Sequence, residues 1–261
     1  MVLQKNIGFI GTGGIASAMG KGLCSSQDFG GKIFLSVHKD RSKAEELERC
    51  FPDKIVICKS NQEVLNNSEI IFPTVLPKQL KAVASELKFH SGHRIIHIAA
   101  GTKIEKAAPW YGGAGSIVRA VPLPFSARRE GPVVMCGDDE ICEKTLSLLG
   151  SLVKVKNERE LEILAAVTGL MVSYYGLVAE IVCWCGAKGL DFQSGLDYTC
   201  FMNEALSSLM RNDCTEDVEA FLCDNTTPGG MNEMALSIMR ERSAYEPWKE
   251  ALEKIGKHYD L

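Results

Sequence analysis

The sequence predicts an α/β fold in two parts: a mainly parallel sheet covered by helices over residues 1–156, then an all-helical remainder over residues 157–261. Two observations predict it. Short apolar runs alternate with stretches of helical periodicity through the first part, the pattern of βα units whose sheet is buried on both faces. After residues 152–155 strand-like alternation stops and helical periodicity alone continues. A 261-residue chain that is 46% hydrophobic can bury a core in each part.

In chain order, strands are expected at residues 7–10, 33–37, 55–58, 70–75, 94–98, 116–120 and 133–136, with helices between them near 16–24, 43–50, 62–65, 79–87 and 105–110. The second part opens with one long apolar helix over 160–188, interrupted at Gly169 and Gly176. Further helices are expected at 195–210, 216–221, 231–242 and 247–258. So apolar a first helix has few flanking helices of its own to bury it, which points to self-association, with a central helix wrapped by its own chain as the alternative.

The first strand runs directly into Gly11-Thr12-Gly13-Gly14-Ile15-Ala16 and a helix. Gly11 permits the tight turn, Gly13 lets backbone approach a pyrophosphate, and small Ala16 lets the helix pack closely on its strand. The helix start then offers unpaired N–H groups to phosphates. A glycine-rich turn alone can also bind nothing; the strand before it, the helix after it and a second strand beyond support a Rossmann-type dinucleotide cradle.

The end of that second strand selects the cofactor. Enzymes that use NAD commonly place Asp or Glu there, to accept from the adenosine ribose hydroxyls. This chain instead has Ser36-Val37-His38-Lys39, followed by Asp40 and Arg41. Donors at Ser36, His38, Lys39 and Arg41 suit a 2′-phosphate, favouring NADP over NAD; an ordinary solvated charge cluster is the alternative.

A net charge of -4 with scattered basic residues argues against a nucleic-acid partner. The ten cysteines show no CxxC and no metal spacing, so no metal site is expected. Cys183 and Cys185, the one close pair, read as buried apolar filler. Neither an N-terminal signal region nor a run of eighteen apolar residues is seen, so the expected compartment is the reducing cytoplasm and no membrane partner is expected.

Near the C-terminus, Thr226-Thr227-Pro228-Gly229-Gly230-Met231-Asn232-Glu233 precedes apolar residues at helical spacing. Thr227 reads as an N-cap and Pro228 as the first helical residue. Two glycines in a first helical turn cost stability, so either the turn needs their dihedrals or their bare backbone docks an anion such as a substrate carboxylate.

Together these residues make the chain similar to the pyrroline-5-carboxylate reductase family along nearly its whole length. The resemblance is carried by the first glycine turn, Val75-Leu76-Pro77, His97-Ile98-Ala99-Ala100-Gly101, Val118-Arg119-Ala120-Val121-Pro122, Ala166-Val167-Thr168-Gly169-Leu170 and Thr227-Pro228-Gly229-Gly230. The last two are the specific ones. The resemblance implies an N-terminal Rossmann domain, a helical C-terminal dimerisation and substrate domain, a homodimer or higher homo-oligomer, and reduction of a cyclic imine to proline with NAD(P)H. It implies cofactor contacts at Val75, Pro77, Ala99 and Gly101, a substrate hydroxyl at Thr227, and a substrate carboxylate held by the backbone of Gly229, Gly230 and Met231.

The chain departs from the family's pattern near the reacting groups. Asn232 stands where the family usually has a second hydroxyl, Leu123-Pro124-Phe125 replaces its Asn-Thr-Pro, Leu76 replaces its lysine, and Met171-Val172-Ser173-Tyr174-Tyr175 replaces a run of small residues. Tyr174 and Tyr175 are candidate proton donors, or aromatic core residues with satisfied hydroxyls. Thr227 or Asn232 would hydrogen-bond the ring nitrogen, with Glu233 a further proton source. The expected activity is NADPH-dependent reduction of a cyclic imino acid, pyrroline-5-carboxylate first, with NADH possible. The alternatives are an imine or ketimine reductase for another cyclic or specialised substrate, and a catalytically silent NADP-binding sensor or scaffold.

Overall fold

The computed structural model describes residues 2–38 and 40–261. The chain divides into two compact units, Met1–Ala165 with Leu261, and Ala166–Asp260.

The first unit is an eight-stranded sheet: β1 (Ile7–Ile10), β2 (Ile33–Leu35), β3 (Ile55–Ile57), β4 (Ile70–Pro73), β5 (Arg94–His97), β6 (Ser116–Val121), β7 (Pro132–Cys136) and β8 (Ser151–Val155). Their spatial order is β3-β2-β1-β4-β5-β6-β7-β8. Six strands in the order 3-2-1-4-5-6 form the dinucleotide-binding arrangement, whose crevice opens at the carboxyl ends where the order reverses. All pairings are parallel except β6 with β7. The sequence reading misses β8 as a strand, the helix over 140–147 and the reversal at β7.

Period-two alternation divides the apolar residues of β1, β4 and β5 between two cores. Ile7, Phe9, Ile33, Ile70, Phe72 and Ile96 face α1 (Gly14–Ser25), α2 (Ser42–Cys50) and α6 (Glu140–Ser147) through Met19, Leu23, Leu47 and Leu146. Ile10, Ile71 and Ile95 face the other side, where α3 (Asn61–Asn66), α4 (Pro77–Ser85) and α5 (Ile104–Ala107) contribute Leu65, Ala84 and Ala107. β1 is buried at all four positions, which is why it reads as an uninterrupted apolar run. Behind β6, the departing segment becomes a 3-10 turn, Pro124–Arg128, seated on α1. The contact is so close that a Cβ on Gly22 would lie 1.9 Å from the Ser126 carbonyl oxygen.

This unit runs past the expected boundary at 156/157 because the start of α7 (Glu158–Val167) is tied to the sheet. Leu161 is fully buried beside Val134 and Cys136, and Glu158 and Glu162 both accept from Arg119.

In the second unit, the end of α7 passes through a 3-10 turn, Thr168–Leu170, into α8 (Met171–Ala187), α9 (Phe192–Asp213), α10 (Val218–Asp224), α11 (Met231–Glu241) and α12 (Glu246–Gly256). The break expected at Gly169 is present; Gly176 lies inside α8 without interrupting it. Asp191 caps α9 by accepting from the Ser194 amide. Few of the unit's side chains are enclosed: Val172, Trp184, Phe192, Tyr198 and Phe201 are each more than three-fifths exposed. Cys183 and Cys185 are exposed and half-buried, so they are not core filler within this chain. By length and composition alone the helical stretch Glu158–Ala187, at mean hydropathy 1.6, would also span a bilayer, which counting unbroken apolar residues misses.

Candidate active site

The glycine turn after β1 has the geometry its residue types predict. Gly11 sits at φ +92, and a Cβ there would lie 2.9 Å from the Val75 side chain. Gly13 caps α1 in an extended conformation, and the first helical amide bond runs from Ser17 N to the Gly13 oxygen at 3.0 Å. The amides of Gly14, Ile15 and Ala16 therefore precede the helix's own bonding pattern. No side chain caps this end and no acidic residue stands in its first turn. A Cβ on Gly13 or Gly14 would meet nothing within 4 Å, so the backbone is open to a bulky anion.

Ser36 has a task other than the predicted one. It is buried, its Oγ accepts from the Gly11 amide at 2.9 Å, and its carbonyl accepts from Thr12 Oγ1 at 3.0 Å. The residue therefore braces the glycine turn from beneath, at the edge of the cleft beside it. Thr74 Oγ1, just after β4, braces it too, donating to the Gly11 carbonyl at 2.5 Å. His38 is exposed at the tip, Lys39 lies outside the described residues, and Arg41 pairs with Glu45 at 3.1 Å.

A cleft of about 720 Å³ opens beside this turn, bordered by Gly11, His38, Lys59, Ser60, Val75 and Lys78. It lies where the adenosine half of a dinucleotide binds in this strand order. Lys59 and Lys78 supply the cationic charge that sequence reasoning sought only at the end of β2. Lys59 was missed because it follows β3, on a turn whose helix is capped by Ser60 Oγ accepting from Glu63 N at 3.1 Å. Val75 shares the cleft, and Pro77 begins α4 at a position where a missing N–H costs nothing.

Further along the carboxyl edge, Ala99 is buried while Ala100 and Gly101 are exposed, with Gly101 at φ +67. Beneath this loop lies a charged and polar layer that the sequence reading does not identify. Arg119, almost fully buried, donates to Glu158 at 2.9 Å and to the equally buried Glu162 at 3.0 Å, and Lys103 approaches Glu162 at 3.8 Å. Two cations face two carboxylates, so the layer is charge-balanced. His97 and Tyr111 are buried beside it, 2.9 Å apart. Burial pushes the His97 imidazole below its usual range and the Tyr111 phenol above its own, so both are neutral. A single His or Arg inside a strand carries no periodic signal, which is why this layer is hidden in the sequence.

In the second unit, the segment before α11 differs from expectation. Gly229 stands at φ +73, which cannot continue a helix, and Gly230 is the N-cap in place of Thr227, so Pro228 precedes the helix. Of the three amides assigned to a substrate carboxylate, two are already bonded: Gly229 N donates to Glu233 Oε2 at 2.6 Å and Gly230 N to the Thr227 oxygen at 2.9 Å. Met231 N remains, at an exposed residue. Thr227 is exposed; Asn232 turns its Nδ2 toward the Asn225 oxygen at 3.4 Å. Tyr174 and Tyr175 are 40% and 51% exposed on α8, their rings 6.5 Å apart, so neither is a core residue of this chain.

The chain is similar to known proteins in sequence and in fold. The family model described as NADP oxidoreductase, coenzyme F420-dependent, matches residues 6–101, the strands and helices around the glycine turn. A pyrroline-5-carboxylate reductase of Pseudomonas aeruginosa is 24% identical over 88% of this chain and 86% of its own length. The crystal structure of Plasmodium falciparum pyrroline carboxylate reductase with NADP bound superposes with a TM-score of 0.83, covering 100% of this chain and 99% of that one at 18% identity. The pyrroline-5-carboxylate reductase of Coxiella burnetii gives 0.82 over 98% of both chains at 21% identity. The fold is therefore shared over both units, the helical one included.

Proposed function

We infer that this chain, a divergent member of the pyrroline-5-carboxylate reductase family, is an NADPH-dependent oxidoreductase acting on C=N bonds, with pyrroline-5-carboxylate as its substrate and proline as product. The observation that carries the reading is the start of α1: open amides, no capping side chain, no acid in the first turn, and glycines with free space beyond them. A pyrophosphate fits such a site, and the adjoining cleft with His38, Lys59 and Lys78 suits a phosphorylated adenosine.

When bound, the dihydronicotinamide supplies a hydride to the carbon of the protonated imine. The protein's part is alignment. Gly11, Gly13, Gly14, Ile15 and Ala16 would hold the pyrophosphate, with Thr12 fixed by its bond to the Ser36 carbonyl; Ala99 and Gly101 would border the nicotinamide. Thr227, free to turn its hydroxyl outward, would accept from the N–H of the iminium, and the Met231 amide would take one carboxylate oxygen. Tyr174 or Tyr175 would donate the proton if the imine arrives neutral.

The exposed apolar side chains of α8 and α9 support a homodimer built on the second unit, and a homodimer would cover them without a membrane. Cysteines that form no disulfide support a cytoplasmic setting.

One observation favours a second substrate class. Glu233 puts its own carboxylate on the Gly229 amide, at the place expected to receive the substrate's. An imine lacking a carboxylate would avoid that competition. The assay that separates the two follows NADPH oxidation with pyrroline-5-carboxylate and with 1-pyrroline. Preferred turnover of pyrroline-5-carboxylate supports the first reading and preferred turnover of 1-pyrroline the second. Tight NADPH binding with no turnover across a panel of cyclic imines would leave a cofactor-binding sensor or scaffold.

A further inference from the structure

The buried polar layer beneath residues 98–103 has no part in the chemistry as read above. His97 is the last residue of β5, fully buried, and in register with Arg119 on β6. Its ring reaches across the loop that its own strand enters: Nε2 lies 3.0 Å from the Thr102 carbonyl oxygen, and Nδ1 lies 2.9 Å from the Tyr111 hydroxyl. A carbonyl oxygen only accepts, so Nε2 carries the ring proton and Nδ1 accepts from Tyr111. The far end of the loop is held as firmly. Glu158 Oε1 accepts from the Ile104 amide at 3.0 Å while also taking Arg119 Nη1 at 2.9 Å. Between His97 and Ile104, Ala100, Gly101 and Lys103 are exposed, with Gly101 in a left-handed conformation. A surface loop of this length needs no buried imidazole to close it; unpaired, that imidazole would cost stability.

We propose that His97 is a positioning residue: by holding the Thr102 carbonyl from beneath, it sets the height of the loop carrying Ala99 and Gly101, and thereby the distance and tilt at which the nicotinamide meets the substrate. This rests on the reading of Ala99 and Gly101 as cofactor contacts. Tyr111 orients the ring by donating to Nδ1, and Glu158 fixes the loop's other end. The pyrophosphate and adenosine contacts belong to β1, β2 and the cleft beside Val75, so disturbing His97 alters alignment while leaving most cofactor affinity in place.

Three variants test this. His97→Gln keeps a donor for Thr102 and an acceptor for Tyr111, His97→Leu keeps neither, and Tyr111→Phe deletes the phenol alone. For each, melting temperature, the NADPH dissociation constant and the fluorescence of the bound dihydronicotinamide are measured, with kcat and the isotope effect of deuterated NADPH on any imine turned over. His97→Leu and Tyr111→Phe are expected to hold NADPH within about threefold of wild type, to lower kcat roughly 10- to 100-fold with a larger isotope effect, and to change the bound nicotinamide fluorescence. His97→Gln restores most of kcat. Wild-type kcat and fluorescence in a folded His97→Leu would overturn the proposal, as would affinity and melting temperature falling together with no rescue by Gln. If His97→Leu does not fold, the Gln and Phe variants decide by the same criteria. A wild-type protein that binds NADPH but reduces no imine would refute the reductase reading alone, since the fluorescence and hydrogen exchange of residues 98–103 still test the loop. Failure to bind NADPH would refute both.

Discussion

The two units bury their apolar side chains to very different degrees. In the first, strand residues alternate between two closed cores, and most of the large apolar side chains reach zero exposure. In the second, Val178 and Val182 are the buried side chains of α8, while large aromatic residues on α8 and α9 face outward. The same contrast is repeated at the helix starts. The first turn of α1 is open and uncapped, and that of α11 is filled by Glu233 from its own chain. The first unit is thus complete as a cofactor-binding body. The second has apolar surface to cover, and the Gly229 amide before α11 is taken by Glu233 of its own chain.

The sharpest test of the first unit's completeness is Gly22→Ala. A Cβ 1.9 Å from the Ser126 carbonyl oxygen forces α1 away from the 3-10 turn that follows β6. Overpacking of this kind costs about 1–3 kcal/mol and should appear as a marked fall in melting temperature with weaker NADPH binding. Unchanged stability would mean that the two elements do not pack as closely as their contact requires.

A comparable blow to the second unit should act through association. Phe201→Glu places a carboxylate in the exposed apolar face of α9. If the proposed homodimer forms through this face, sedimentation should show it weakened by about 100-fold, the scale of loss for an aromatic residue that anchors an interface. NADPH affinity should stay near wild type, since the glycine turn and its cleft belong to the first unit. If cofactor affinity fell with dimerisation, the independence of the two halves would be lost.

A smaller effect, confined to the first unit, concerns Asp139. It caps α6 by accepting from the Ile141 and Cys142 amides, takes the Ser116 hydroxyl at 2.6 Å, and pairs with Arg94 at 3.1 Å. Burial alone would raise its carboxyl, but those bonds and the Arg94 charge outweigh it and hold the group below the usual aspartate range. Because the folded form binds its proton less readily than the unfolded one, the stabilisation is complete above the unfolded aspartate value near ~4 and is lost as pH falls through the lower folded value. Asp139→Asn should therefore cost about 1 kcal/mol in denaturant melts at neutral pH and progressively less in acid. An equal cost at both would reduce Asp139 to a packing residue.

The contrast between the units also explains what could be read in advance. Strand alternation and the Gly11-Gly13-Ala16 spacing are local patterns dictated by a buried sheet and a tight turn, so β1–β7 and α1–α5 fall within a few residues of expectation, while α6 and β8 went unread. Ser36 could not be read, because its neighbours suggest a solvent-facing tip and only the fold shows its hydroxyl turned under the glycine turn. Nor could the Arg119, Glu158 and Glu162 layer, whose members are distant in sequence and meet through strand register and a helix. At the α11 start the residue types were legible but their use was not: proline and two glycines suggested a first helical turn, and the left-handed Gly229 makes them a turn before it.

The smallest expected effect carries the most information about substrate. In Glu233→Gln the side chain keeps an acceptor for the Gly229 amide at similar geometry but loses its charge. If an imino acid must bring its carboxylate to the Met231 amide, removing the neighbouring negative charge should lower KM for pyrroline-5-carboxylate about three- to tenfold with kcat little changed, because the charge acts on binding before hydride transfer. For 1-pyrroline, which carries no carboxylate, the same change should leave KM unchanged or raise it, since the protonated imine loses an attractive charge. A KM moving alike for both substrates would show that Glu233 acts only as a cap of α11. That result would separate the two helix starts by role, a glycine turn stabilised for its own sake at α11 and one open to a ligand at α1.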